Sequence, residues 1–208
     1  MIAAAERPGS ATLARGLLWF TLAWNIAEGV IAVLSGVIAG SVALVGFGLD
    51  SSIEVAAAGI LLWRMTIPLN DPRAEGRETL ARRVVGATFL ALAAYILAQA
   101  AYVLASGRQP EESGVGLALA IAATIVMPGL GIAKHRNASR LGSQALLAEA
   151  RETVACSYLS LTLFIGLAAN TVAGWWWADV VAALSMVPWI IKEGVEGVRG
   201  EHCEEDCA

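Results

Sequence analysis

The chain has 208 residues, of which 57% are hydrophobic and only 15% charged, and its formal net charge is −4. A soluble domain of this size carries roughly 25% charged residues; here Ala, Leu, Val, Ile and Gly run along nearly the whole length, at a mean hydropathy of +0.65. That excludes an ordinary soluble domain, while the lack of any basic, aromatic-interleaved patch excludes a nucleic-acid partner, and three cysteines are too few for a disulfide scaffold.

The opening MIAAAERPGS has none of the basic, apolar and cleavage regions of a secretory signal. A spanning helix needs about 20 mainly apolar residues, and six such stretches follow: Leu17–Gly36, Val42–Trp63, Val84–Ala105, Val115–Ala133, Leu146–Thr171 and Trp177–Ile191. The expected fold is therefore all-α: a polytopic membrane protein built as one six-transmembrane-helix bundle over residues 17–192. A cytoplasmic segment, 1–16, precedes it and a short acidic tail, 193–208, follows. The joints are Val37–Ser41, Arg64–Arg83, Ser106–Gly114, Lys134–Ser143 and Ala173–Trp176, the longest carrying two Pro and several charges that cannot stay in hydrocarbon.

Lys and Arg set the orientation. One side collects Arg7, Arg15, Arg64, Arg73, Arg77, Arg82, Arg83, Lys134, Arg136, Arg140, Lys192 and Arg199, and the other only Arg108, which puts both termini in the cytoplasm. Trp175, Trp176 and Trp177 then anchor the outer interface. Gly36/Gly40, Gly29 and Gly59 read as points of close helix approach, Asp179 as a cap on the sixth helix, and His135 as a surface residue of a basic joint.

Charges inside spans are expensive, about 2.5–3.5 kcal/mol each on insertion scales, so each calls for a reason. The acids at membrane depth are Glu28, Asp50, Glu54, Glu152 and Asp179, with Glu149 near a helix start. Asp50 and Glu54, four apart in GFGLDSSIEV, share one helix face and can grip a single ion. Two carboxylates that close repel unless a cation or proton lies between them; the plainer reading is a protonated pair bonded to neighbouring helices. Glu152 and Cys156 repeat the spacing in the fifth span. Together the four residues make an O/O/O/S set that suits zinc, whereas an all-oxygen variant suits manganese; iron, cobalt and cadmium are further alternatives. Glu28, with Asn25 one turn before it, either lines the same cavity, relays protons or makes a structural hydrogen bond. In the tail EHCEEDCA, His202, Cys203 and Cys207 are candidates for loose metal capture, without the spacing of a structural zinc module.

At the second span, GSVALVGFGLDSSIEV resembles the second-helix motif of the cation diffusion facilitator family: Ser-x-Ala-Leu, then an acid or His, then an acid four residues later. SQALLAEARETVACSYLS is similar to that family's fifth-helix segment, and GWWWADVVAAL to its Trp-rich joint leading into Ala-Asp; the resemblance runs from about Trp19 to Val198. It implies a homodimeric, proton-coupled exporter of zinc or a similar divalent ion, with Asp50, Glu54, Glu152 and Cys156 in the ligand positions. Two departures stand out. The commonest family sites have His and Asp in the fifth helix, and no span here contains His. Where the family usually carries a soluble cytoplasmic domain, only the short tail follows the sixth helix, so a homodimer would rest on the membrane helices.

The expected partners are thus metal ions, protons and the lipid bilayer, in a bacterial-type plasma membrane, with no prosthetic group. Two other classes compete. An intramembrane protease is disfavoured: GFGLD has one residue too many for Gly-x-Gly-Asp, no second mid-membrane Asp is present, and HExxH is absent. A non-transporting metal-binding accessory or scaffold keeps the fold and the site but catalyses no flux.

Overall fold

A backbone in hydrocarbon must satisfy its own N–H and C=O groups, and a helix does so within one segment. In the computed structural model, which describes residues 8–64, 72–107, 109–141 and 144–199, the apolar stretches accordingly form helices, with no strand among the described residues. In chain order these are α1 (Pro8–Ala39), α2 (Val42–Arg64), α3 (Pro72–Ser106), α4 (Gly114–Leu141), α5 (Gln144–Ala173) and α6 (Trp177–Arg199). The first five are long and apolar enough to cross a membrane. The sixth has 23 residues, with Asp179 near one end and Lys192 and Glu193 near the other; at 1.5 Å per residue it is about 34 Å long, against a hydrocarbon core of about 30 Å. The tail residues His202, Cys203 and Cys207 lie outside the described residues.

Several helices overrun the apolar stretches that announce them. α3 starts at Pro72, a residue suited to a first helical turn, inside what reads as a polar joint, and α4 continues through the basic KHRNASRL to Leu141. The second extension corrects an expectation. Lys134 is not a cation of an exposed joint but a helical residue with 4% of its surface accessible, whereas His135 beside it is exposed as expected.

The helices pack most closely as the pairs α1–α2, α3–α6 and α4–α5, and α2 also meets α3, α5 and α6. It is the most enclosed span: 56% of its apolar stretch is buried, against 33% in α1, α3 and α4. Phe47, Leu44, Ile96, Met127, Leu159, Leu163, Met186 and Ile190 fill the centre, while Trp19, Leu34, Ile38, Ile125 and Val172 point outward. Apolar outside, with Asn25, Glu28, Asp50, Lys134 and Glu149 inside, is the arrangement that lipid selects.

The glycines divide by role. A Cβ on Gly36 or Gly48 would sit 2.8 Å from the backbone nitrogen of Val45 or Val33, so these two let α1 and α2 touch backbone to backbone. Gly40 and Gly59 have open space around their Cβ positions and make no such contact; Gly40 instead takes φ 68° after the end of α1. The following Ser41 N–H returns 3.0 Å to the Gly36 carbonyl, closing the helix with the hydrogen bond of a glycine C-cap.

Asp179 caps a helix other than the one expected. It lies in the first turn of α6, but its carboxylate reaches the start of α2. There Oδ1 accepts from the Ser41 hydroxyl, and Oδ2 accepts from the Val42 and Ala43 N–H groups at 2.9 and 3.4 Å. Ser41 Oγ in turn accepts from Leu44 N–H at 3.0 Å. Asn170 Nδ2 donates to the Pro110 carbonyl at 3.3 Å and Glu111 N–H to the Ala39 carbonyl at 2.8 Å, which ties the α3–α4 connection to the same end of the bundle. Trp175 and Trp177 stack outside it, ring centres 5.5 Å apart. Replacing Asp179 by Ala removes the cap and strands buried donors, at a cost of about 2–4 kcal/mol. The expected result is unfolding at a clearly lower SDS fraction than wild type, followed by circular dichroism; an unshifted transition would show that the clasp is dispensable.

Candidate metal centre

The site begins as one face of α2. Asp50 and Glu54, one turn apart, point from this enclosed helix toward α5, where Cys156 meets them. One ligand atom from each of the three lies within 4.8 Å of the other two. Asp50 and Cys156 are buried at 4% and 1% exposure, and Glu54 is half-buried. The neighbouring hydroxyls are already engaged: Ser52 Oγ donates to the Gly48 carbonyl at 3.0 Å, and Ser157 and Ser160 donate to carbonyls one turn back on α5. These local bonds take the small polar side chains out of competition for a ligand.

α1 supplies the wall. Asn25 Nδ2 donates to Glu54 Oε2 at 2.6 Å, fixing one rotamer of the one ligand that keeps partial exposure. Glu28, one turn on, stands a bond further away. Its Oε2 accepts from Ser51 Oγ at 3.3 Å, and its buried Oε1 finds no hydrogen-bond partner among the described residues. Asn25 thus borders the cluster directly, and Glu28 reaches it through Ser51.

Glu152 stays outside the mutual grouping of Asp50, Glu54 and Cys156. One turn before Cys156 on α5 and half-buried, it interacts electrostatically with both α2 carboxylates. Two groups that sequence reasoning passed over also belong to this neighbourhood. Glu193, half-buried on α6, interacts electrostatically with both Asp50 and Glu152. It follows the predicted last apolar residue, Ile191, yet continues the buried stripe of Met186 and Ile190 at helical spacing, which is a readable signal. Lys134 is the second. Its ammonium pairs with Glu149 Oε1 and donates to Thr153 Oγ1 at 2.8 Å, joining α4 to α5. Next to this pair Ala14, Leu17 and Leu18 of α1 and Leu146 of α5 close over a cavity of only about 10 Å³.

Two carboxylates and a thiol from two helices offer a divalent transition metal three protein ligands and leave one tetrahedral position open.

The described helices thus enclose an acidic, thiol-bearing cluster, and five of them are long and apolar enough to cross a membrane. Residues 18–199 match the cation efflux transmembrane domain, and the chain belongs to that family. It is also 28% identical over 155 residues to a protein from Synechocystis sp. described as an uncharacterized transporter. That match covers 72% of this chain and 50% of the relative, so the chain spans about half the length of the relative it matches.

The Asn25–Glu54 bond yields a second prediction. Losing a hydrogen bond to a charged group costs about 1.5–3 kcal/mol, so Asn25→Leu is expected to weaken binding of a divalent transition metal at the cluster by about tenfold or more. Isothermal titration of the protein in nanodiscs measures it, and unchanged affinity would mean that Asn25 does not position Glu54.

Proposed function

We propose that this protein carries zinc, or a similar divalent transition metal, out of the cytoplasm in exchange for protons, by alternating access around Asp50, Glu54 and Cys156, with Glu152 as the fourth ligand. The observation that carries the reading is the convergence of those three ligand atoms within 4.8 Å, from two helices long and apolar enough to cross a membrane. The basic residues gathered at the end of the bundle opposite Trp175 and Trp177 support a cytoplasmic position for both termini.

The chemistry follows from the donor set. A thiolate beside two carboxylates favours zinc over hard ions such as manganese. Metal and protons compete for the same oxygens and sulfur, so metal arriving from the cytoplasm displaces protons, and protons arriving from outside displace metal. With no His in the site, the carboxylates and the thiol carry those protons. The half-buried Glu54, Glu152 and Glu193 form an acidic approach that attracts a cation toward the buried Asp50 and Cys156. Movement of α5 against α2 would open and close the cluster, because the ligands are divided between these two helices. A homodimer would form through the lipid-facing surfaces of the helices, and a bacterial-type plasma membrane is the proposed location.

Zinc and manganese flux into proteoliposomes under an imposed pH gradient, compared between wild type and Asp50→Asn, tests the reading. The expected outcome is gradient-driven zinc flux that falls to the protein-free background in the mutant, with slower manganese flux. Wild-type protein that binds zinc but moves none would replace the transporter reading with that of a metal-binding accessory.

A further inference from the structure

Lys134 is a buried cation placed beside a row of carboxylates. On α5, Glu149, Thr153 and Cys156 lie on one face with Glu152, at helical spacings of three, four and seven residues. At 1.5 Å per residue, the Glu149 level lies about 10 Å along the axis from Cys156, with Glu152 between them. Lys134 reaches this face from α4. Its Nζ pairs with Glu149 Oε1 and donates to Thr153 Oγ1 at 2.8 Å, while Thr153 donates to the Glu149 carbonyl at 3.1 Å. Both charged residues are more than nine-tenths buried, and Glu149 Oε2 finds no hydrogen-bond partner among the described residues. Simply holding α4 against α5 does not require such a pair, since apolar residues of similar volume often do that as well or better. The field of the ammonium, moreover, extends beyond its partner to Glu54 and Glu152.

We propose that Lys134 is a resident counter-cation of the metal centre: fixed by Glu149 and Thr153, its charge lowers the centre's affinity for a divalent cation to a level from which the ion can be released. Lys134 is thus a positioning residue that touches no metal and acts through the potential at Asp50, Glu54 and Cys156. Glu149 is its regulator, because the carboxylate screens part of the ammonium charge. The inference rests on the reading of the cluster as a divalent-cation site.

The two partners should change affinity in opposite directions. At an effective dielectric constant near 20, a bare unit charge about 10 Å from a divalent ion alters its affinity by about two- to threehundredfold, and the opposing Glu149 carboxylate reduces that to about tenfold or more. Zinc titration is done on the full chain in nanodiscs with Cys203→Ser and Cys207→Ser in every variant. Lys134→Met is expected to bind zinc about tenfold tighter or more, Lys134→Arg to match the parent, and Glu149→Gln, which leaves the ammonium unscreened, to bind correspondingly weaker. Loss of affinity in both Lys134→Met and Glu149→Gln, or no change in either, would overturn the proposal and leave a structural ion pair. Should Lys134→Met not fold, Glu149→Gln decides: weaker binding supports the proposal, while equal or tighter binding overturns it. A parent protein that binds no zinc overturns the cluster reading itself and this inference with it, an outcome distinct from binding without the opposite shifts.

Discussion

Carboxylates have no stable place in hydrocarbon, and α2 carries two of them a single turn apart. Everything else in the bundle accommodates that constraint. α2 has to be the most enclosed span, since its acidic face can meet only protein or an enclosed polar path. Gly36 and Gly48 let α1 lie backbone to backbone against it, which brings Asn25 within 2.6 Å of Glu54 and Glu28 up to Ser51. α5 covers the other side and contributes Cys156. Two negative groups held together in this way are a poor structural element and a good cation trap.

The remaining buried charges are each matched by a partner from a different helix. Asp179 of α6 is spent on the first N–H groups of α2, where the helix dipole and the free donors favour an anion. That clasp fixes the N-terminal end of α2. At the opposite end Lys134 of α4 and Glu149 of α5 hold one another. The candidate metal centre lies between these two contacts. Half-buried Glu54, Glu152 and Glu193, one each from α2, α5 and α6, form the less enclosed part of its surroundings.

Much of this was legible in the sequence because it depends on local spacing. Six apolar stretches gave six helices, and the four-residue interval between Asp50 and Glu54 needed only helical geometry. Cys156 entered through the same interval from Glu152 and through the family resemblance. The misreadings came where a tertiary partner decides. Lys134 stands at the head of KHRNASRL, a run indistinguishable by composition from an exposed basic joint, and only α5 packed beside it makes that lysine a buried one. Asp179 has the position of a cap on its own helix; that its oxygens turn to Ser41, Val42 and Ala43 follows from the α2–α6 contact. Gly40 and Gly36 fit one small-residue pattern, yet one makes a turn and the other a contact.

The two carboxylates of α2 and the thiol of α5 are proposed to bind one metal ion together. X-ray absorption spectroscopy of the zinc-loaded protein, with Cys203 and Cys207 replaced by Ser, tests it most directly. One zinc per chain is expected, with a single sulfur neighbour at about 2.3 Å and oxygen neighbours at about 2.0–2.2 Å. A shell of oxygen alone, unchanged when Cys156 is also replaced by Ser, would contradict it.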